Sequence, residues 1–232
     1  VSVAFYGSQN ATITGSGAVC ELPYILVDKG NVNNTIEVLR TYTQPQPNTE
    51  FTTTQRLSVS SGTLKISAPV VTNSFSTTTI QLVTTVNGKL WFNNTGITMG
   101  MHPSATSGNL FLTGELMVDN GTLNIGLGNA THSVSTNGIL RINGGNVNLT
   151  GALSIVSVAT AQLLVSGGRL TIDPQGTLNL TTGIPVLNVQ SNSTFIFSGG
   201  EIMIADPHAA AGGTSINIQS GGVKDLTGGT FI

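Results

Sequence analysis

Carboxylate side chains are the first residues to consider for chemistry, because paired acids hydrolyse glycosides and clustered acids hold Ca2+. The chain has ten acidic residues. Only Glu115 and Asp119 lie four positions apart on a predicted strand, where both would point to the same face. We interpret this pair as outward, solvated residues near a turn. The sequence therefore predicts no catalytic residue and no metal ligand set.

The three histidines share no common spacing. In Asp206-Pro207-His208 the carboxylate could orient the imidazole as a base or a ligand, although a turn built by Asp-Pro is the favoured interpretation. His102 and His132 are predicted on separate loops, so a zinc site is not expected. We keep His102, Asp206 and His208 as candidate binding residues.

Trp91 is the only tryptophan and lies between Leu90 and Phe92, in the outward position of its strand. An exposed indole beside the predicted loop 93–108 could stack on a sugar ring or on a hydrophobic ligand. The alternative is that the ring folds against that loop as local packing, and this interpretation is favoured. Trp91 is nevertheless the fourth candidate binding residue.

No other motif points to catalysis or to a cofactor. The sequence has no Gly-x-Ser-x-Gly, phosphate-loop or EF-hand pattern. Cys20 is the only cysteine, which excludes a disulfide framework and a thiolate metal cluster, and we interpret it as a small buried apolar residue. No cofactor is expected.

Composition excludes several further classes of function. Charged residues make up 8% of the chain, against about 25% in ordinary globular proteins. The eight basic residues are scattered, so no stripe exists that would neutralise nucleic-acid phosphates. No apolar run approaches the roughly 18 residues that span a bilayer. The first residues lack a signal core, so we expect either a signal that was removed or a piece of a longer protein.

These candidates must be positioned by a short unit that recurs along the chain. Each unit is a tight turn that runs into a half-buried strand, because glycine supplies the turn and alternation sends every second residue inward. Most steps from one unit to the next are of similar length, and a recurrence at this spacing predicts a solenoid. The turn glycines are Gly62, Gly88, Gly121, Gly145, Gly168, Gly200 and Gly222.

Two all-β arrangements fit short strands with turns between them: a coil of parallel strands and a sandwich of hairpins. Recurrence of one unit at coil-length spacing favours the coil, since equivalent side chains then stack on themselves. The prediction is an all-β, right-handed parallel β-helix with coils of about 22–26 residues, a period typical of solenoids. Its inward residues would include Leu123, Ile125, Val147, Leu149, Leu170 and Ile172. Asn124, Asn148 and Thr171 would form outward polar ladders.

Two regions are predicted to differ in regularity. Residues 1–50 are expected to form an irregular N-terminal cap or the first coils, and residues 51–232 the repeat region of a longer chain. The two long steps between units are attributed to inserted material. The first would be the loop 93–108, and the second an extra unit at Gly176 with the strand Ser193–Phe197.

The last coil is predicted to be irregular and open. Lys224 falls where an inward apolar residue is due, which predicts that the register slips by one residue there. Open strand edges are a template for association. We therefore expect end-to-end continuation or self-association through this coil.

The Gly-Gly-x-Leu-x-Ile and Asn-Gly-Thr-Leu-x-Ile units lie in a charge-poor background rich in Ser, Thr and Asn. In this they resemble the repeat regions of very large secreted cell-surface adhesins and gliding-type filaments of Bacteroidota, which are exported by the type 9 secretion system. The resemblance covers residues 51–232 well and the first fifty weakly. It implies an extracellular location, with surface glycans or other cell-surface proteins as partners.

The expected function is a structural or adhesive segment of a long extracellular protein, without catalysis. Two alternatives stay open, because parallel β-helices also host enzymes that act on polysaccharides. One is a polysaccharide lyase or glycoside hydrolase, and the other is a carbohydrate-binding module that uses Trp91.

Overall fold

The fold is built entirely from short strands in the residues that the computed structural model describes: 2–15, 20–21, 24–43, 57–75, 79–80, 82–83, 85–101, 108–126, 130–173, 185–204 and 215–232. These residues contain no helix. Every strand pair among them is parallel. The protein is thus a parallel β-solenoid, or β-helix, which confirms the predicted all-β fold.

The strands, in chain order, are β1 (Ser2–Tyr6), β2 (Ala11–Ile13), β3 (Cys20–Glu21), β4 (Tyr24–Asp28), β5 (Thr35–Val38), β6 (Tyr42–Thr43), β7 (Leu57–Ile66), β8 (Val70–Phe75), β9 (Thr79–Ile80), β10 (Gly88–Met101), β11 (Asn109–Leu112), β12 (Glu115–Ile125), β13 (Thr131–Val134), β14 (Ile139–Ile142), β15 (Asn146–Leu149), β16 (Ala152–Ile155), β17 (Gln162–Ile172), β18 (Leu187–Val189), β19 (Thr194–Ile204), β20 (Ile216–Ile218) and β21 (Val223–Phe231).

Pairing arranges these strands as three faces around one core. Face I contains β1, β4, the first half of β7, and then β9, β11, β13, β16, β18 and β20. Face II contains β2, β5, the second half of β7, β14, and the first halves of β10, β12, β17, β19 and β21. Face III contains β3, β6, β8, β15, and the second halves of β10, β12, β17, β19 and β21.

Coil length can be read from residues that pair in succession along face II. Most of the steps fall within the predicted range, which is typical of solenoid repeats. The longest step runs from Leu163 to its partner Phe195. The successive partners are Ala11, Ile36, Leu64, Leu90, Leu116, Leu140, Leu163, Phe195 and Lys224.

Inward side chains form one continuous apolar core. Alternation along each strand places every second residue inside, and parallel pairing stacks equivalent residues about 4.8 Å apart. The six residues predicted to point inward are all at most 1% exposed. The polar ladder is confirmed for Asn124 and Asn148, since Asn148 Nδ2 donates to Asn124 Oδ1 at 2.8 Å. Thr171, the third predicted member, is buried.

Glycines form the corner between faces II and III. Gly121, Gly145, Gly168 and Gly200 all have positive φ angles, between 66° and 95°, which favours glycine. A Cβ on Gly168 would lie 2.4 Å from the carbonyl oxygen of Gly145 in the preceding coil. The backbones of successive coils therefore meet too closely here for any side chain, and the predicted role of these glycines as corners is confirmed.

The turn glycines do not form one column, contrary to the predicted alignment. Gly88 pairs with Gly62 on face II, whereas Gly121 opens the strand of face III. Leu123 therefore stacks on Met99 rather than on Leu90. The same unit recurs on two faces because both faces need a turn followed by a half-buried strand.

The change of face also explains the first long step, from Gly88 to Gly121. It does not explain the second, since the units at Gly168 and Gly200 stack on the same face, where Arg169 pairs with Glu201. The predicted loop 93–108 is wrong in its first part, because β10 continues as a strand to Met101. Residues 102–107 lie outside the described residues. Ser193–Phe197 is no insertion either, since Thr194–Phe197 is the face II half of β19. The unit at Gly176 lies outside the described residues.

Lys224 occupies the inward position as predicted, since it pairs with the buried Phe195. The predicted slip at this residue is wrong: pairing is continuous from Val223 to Asp225 and shifts only afterwards. The ammonium group donates to the carbonyl oxygens of Ser193 at 2.5 Å and Gly221 at 2.8 Å. Desolvation lowers the pKa of Lys224 below its ordinary value.

Candidate functional site

Trp91 is held on the outer surface of face II by the alternation of β10. Its neighbours Leu90 and Phe92 are fully buried, so the indole between them points outward, where it is half-buried. In the stack, Trp91 pairs with Lys65 of the preceding coil and with Met117 of the following coil. The ring therefore lies in a column of outward side chains.

Three charged side chains contact the indole of Trp91. The Nε1–H group donates to Asp119 Oδ2 at 2.8 Å. The Nζ atoms of Lys65 and Lys89 lie 4.5 and 5.1 Å from the ring centroid. Each such cation–π contact contributes about 0.5–1 kcal/mol at exposed sites. The ring is thus held by side chains of its own strand and of the two neighbouring coils.

Ion pairs extend this arrangement along face II. Lys65 Nζ lies 2.9 Å from Glu37. Glu115 lies 3.3 Å from Lys89 Nζ and accepts from Arg141 Nε at 2.7 Å. Side-chain exposure in these pairs is 16 to 35%, so the groups are partly shielded from water. We call the set of Glu37, Lys65, Lys89, Trp91, Glu115, Asp119 and Arg141 the Trp91 cluster.

The Trp91 cluster concentrates charge in a chain that has little. It contains three of the eight basic residues and three of the ten acidic residues. The cations and carboxylates balance, so the cluster is neutral overall. Since each pair joins adjacent coils, the cluster is a fixed polar surface.

Hydrogen bonds to neighbouring side chains hold the carboxylates of the Trp91 cluster. Asp119 Oδ1 accepts from Asn143 Nδ2 at 2.8 Å, and Ser166 Oγ donates to Asn143 Oδ1 at 3.0 Å. Glu37 accepts from Ser67 Oγ at 2.7 Å. The hydrogen bond from Lys65, followed by that from Ser67, lowers the pKa of Glu37. This carboxylate therefore keeps its charge at lower pH than an isolated glutamate does.

Two adjoining concavities lie on face II beside the cluster. The larger has a volume of about 390 Å³, and its polar and aromatic lining comes from Asn33, Thr35, Thr63, Lys89, Trp91 and Glu115. The smaller has a volume of about 260 Å³ and is lined by Asn10, Ala11, Thr12, Thr35 and Glu37. Thr35 lines both. The larger concavity falls within the range of small-molecule sites, about 300–1,000 Å³.

The other candidate binding residues, His102, Asp206 and His208, lie outside the described residues, so their roles stay predictions. Among the described residues, no group of three His, Cys, Asp or Glu side chains is placed to hold a metal ion. The described residues also contain no helix that is long and apolar enough to cross a membrane. On face III, Arg169 forms an ion pair with Glu201 of the following coil, at 2.5 Å.

His132 was predicted on a loop, which is wrong. It lies in β13 and is fully buried. Nδ1 accepts from the N–H group of Leu110 at 3.0 Å, and Nε2 lies 2.9 Å from the carbonyl oxygen of Thr150. Because Nδ1 is an acceptor here, Nε2 carries the proton and donates to Thr150. Both ring nitrogens are satisfied in the neutral form, and burial lowers the pKa of His132 to about 4.

Glu115 and Asp119 do share the outward face, as the sequence predicted, but they are not simply solvated. Both belong to the Trp91 cluster, where Glu115 is held by two cations and Asp119 by the indole N–H group. The sequence reasoning missed Lys65, Lys89 and Arg141. Their signal is spacing: Lys65, Trp91, Met117 and Arg141 follow one another at coil length, as do Lys89 and Glu115.

Comparisons of the chain with protein families, with curated proteins and with solved structures gave no match. The class that the fold defines is the parallel β-solenoid.

Proposed function

We propose that this protein is a structural and adhesive segment of a large extracellular cell-surface protein, without catalysis. The observation that carries the proposal is the uninterrupted parallel stack from β1 to β21 around one apolar core. Each coil is tied to the next by backbone hydrogen bonds, so load along the axis is shared by many equivalent contacts. A repetitive rod of this kind suits a spacer that presents a surface at a distance.

The low charge of the chain supports the adhesive part of the proposal. A charge repeated in each coil would face itself about 4.8 Å away, and the protein instead uses amide and hydroxyl side chains outside. Those groups donate and accept hydrogen bonds without strong long-range fields. The finer assignment, to secreted adhesins of Bacteroidota, rests on the repeat units and the composition.

Single-molecule pulling tests the structural role. Stretched from its ends, the full chain should lengthen in repeated steps, each releasing one coil, or about 80–110 Å of extended backbone. A single featureless extension at low force would contradict the proposal. In parallel, incubation with acidic and neutral glycans should give no products, and turnover of any of them would favour the lyase or hydrolase.

A carbohydrate-binding module is the second candidate function, and the concavity beside Trp91 is the observation that favours it. An enzyme at this position would need available carboxylates. Glu115 and Asp119 are instead engaged by Lys89, Arg141, Asn143 and the indole. This arrangement suits recognition better than proton transfer.

A further inference from the structure

We propose that face II carries a groove for an extended, uncharged polysaccharide, which runs along the solenoid axis from Asn10 past Trp91 to Glu115. The inference deepens the proposed adhesive function by naming the ligand class and its site, and it rests on that function. Its basis is that the two concavities share Thr35 and lie side by side across five strands, β2, β5, β7, β10 and β12.

The dimensions favour a chain over a single sugar. Successive coils are separated by about 4.8 Å, so four steps from β2 to β12 span roughly 19 Å. A groove of that length accommodates several sugar rings in a row. The solenoid supplies equivalent outward positions at regular intervals, and a polymer of equivalent units matches such a surface.

The lining has the chemistry that sugar hydroxyls require. Asn10, Asn33 and Thr12 are exposed on this face, and Thr35 lies between them. Amide and hydroxyl groups both donate and accept hydrogen bonds, as sugar hydroxyls do. Lys89 and Glu115 place a donor beside an acceptor, 3.3 Å apart, which suits two neighbouring hydroxyls of one ring.

Trp91 supplies the apolar surface at one end of the groove. The C–H face of a pyranose ring can pack on an indole, which combines a large apolar area with a polar N–H edge. Here the ammonium groups of Lys65 and Lys89 lie over the ring, so the sugar takes the place of an ammonium group there, while Asp119 keeps the ring orientation set. Because the side chain is ordered before binding, little conformational freedom is lost when a ligand arrives.

Charge balance selects an uncharged ligand. Lys65 is paired with Glu37, while Lys89 and Arg141 share Glu115. A uronate or sulfate group would have to compete with these carboxylates for the same cations and would meet their negative charge. A neutral polysaccharide leaves every pair intact.

The test uses the intrinsic fluorescence of Trp91, the single tryptophan of the chain. The full chain is produced without glycosylation, since Asn10 and Asn33 begin Asn-x-Thr acceptor sequences. It is titrated with cellohexaose, xylohexaose and maltohexaose, and with hexagalacturonate as the acidic counterpart. At least one neutral probe should change the emission saturably, and calorimetry should give the same affinity. The acidic probe should bind more weakly.

Two variants locate the site. Trp91→Ala should weaken the binding of the neutral hexasaccharide, measured by calorimetry, by about tenfold or more. Thr35→Lys blocks the junction of the two concavities. It should weaken binding of the neutral hexasaccharide more than binding of the disaccharide of the same sugar. Asn124→Lys, on the outer surface of face III, is the matched control and should bind as the unaltered protein does. Circular dichroism establishes that all variants are folded.

Absence of binding to all three neutral probes by the folded protein would overturn the proposal. Tighter binding of hexagalacturonate, or unchanged affinity in Trp91→Ala, would do so as well. These outcomes are separate from a failure of the structural role. A protein that extends coil by coil under force yet binds no sugar keeps its proposed structural function and loses only the groove.

Discussion

His132 is a titratable residue that the folded core holds uncharged. In the neutral ring both nitrogens are bonded, to Leu110 and Thr150, and a second proton on Nδ1 would break the bond from Leu110. Burial adds to this, because a charged imidazole would lose its water. The fold is therefore built around one protonation state of this side chain.

The pKa of His132 predicts acid-sensitive stability. It is about 4 in the folded protein, against about 6.5 in an unfolded chain. The unfolded state therefore takes up the proton first, and stability is lost as pH falls from about 6.5 towards 4, by about 3 kcal/mol at most. Denaturant unfolding at pH 7 and pH 4.5 measures the loss. His132→Gln, which does not titrate, should lose less stability over that interval, and an equal loss in both proteins would contradict the assignment.

Two glycines separate the effect of backbone angle from that of close packing. Gly30 and Gly168 both have positive φ angles, 74° and 66°. An added Cβ would meet nothing within 4 Å at Gly30 but would lie 2.4 Å from backbone at Gly168. Gly30→Ala should cost about 1 kcal/mol for the strained angle, and Gly168→Ala clearly more, since the coils must move apart. Thermal unfolding compares them, and equal losses would exclude the steric argument.

At the scale of the strand, alternation decides which side chain matters. Leu140 points into the core and is fully buried, and its neighbour Arg141 pairs with Leu164 on the outer surface. Leu140→Ala should lower the free energy of unfolding by about 2–5 kcal/mol, because the rigid stack leaves a cavity. Leu164→Ala removes the same atoms from an outward position and should cost less than about 1 kcal/mol. Urea denaturation measures both, and a reversed order would mean that the register is wrong.

The strands of this fold can be predicted from the sequence, whereas the pairing of one strand with another is harder to predict. Leu123, Val147 and Leu170 are each placed inside by a local pattern of alternation, which needs no knowledge of the rest of the chain. Which units stack on each other depends on the number of residues in each coil. Gly88 and Gly121 open similar units on two different faces. An alignment on these glycines therefore pairs Leu90 with Leu123, whereas in the structure Leu90 pairs with Leu116.

The Trp91 cluster shows the same limit. That Trp91 points outward follows from Leu90 and Phe92, but its partners come from neighbouring coils. Lys65 and Asp119 are each about one coil away along the chain, and only the coil register brings them to the ring. With the correct alignment the spacing would have predicted Lys65 beneath Trp91. The bond to Asp119 depends on side-chain conformation, which no sequence pattern supplies.

For the whole molecule, the consequence of stacking is that coils are modular. Each coil contacts the coils on either side, so stability is nearly a sum of nearest-neighbour terms. Leu140 and Leu163 pair directly and are therefore one coil apart. Deleting residues 139–161 removes one full coil and brings Gln162 into the place of Ile139, opposite Glu115. On face III, β17 then meets β12 in the same register that β15 had.

This deletion should leave a folded, shorter solenoid, because every inward column stays continuous and only one interface is lost. We expect a β-sheet circular dichroism spectrum and cooperative thermal unfolding at a moderately lower midpoint. Deleting residues 139–150 removes about half a coil and is the control. It joins strands that belong to different faces and shifts the corner glycines relative to those of the adjacent coils. Cooperative folding should therefore be lost. If the half-coil deletion folded as well as the full-coil deletion, the stack would not depend on coil register, and the basis for placing Trp91 against Lys65 would be lost.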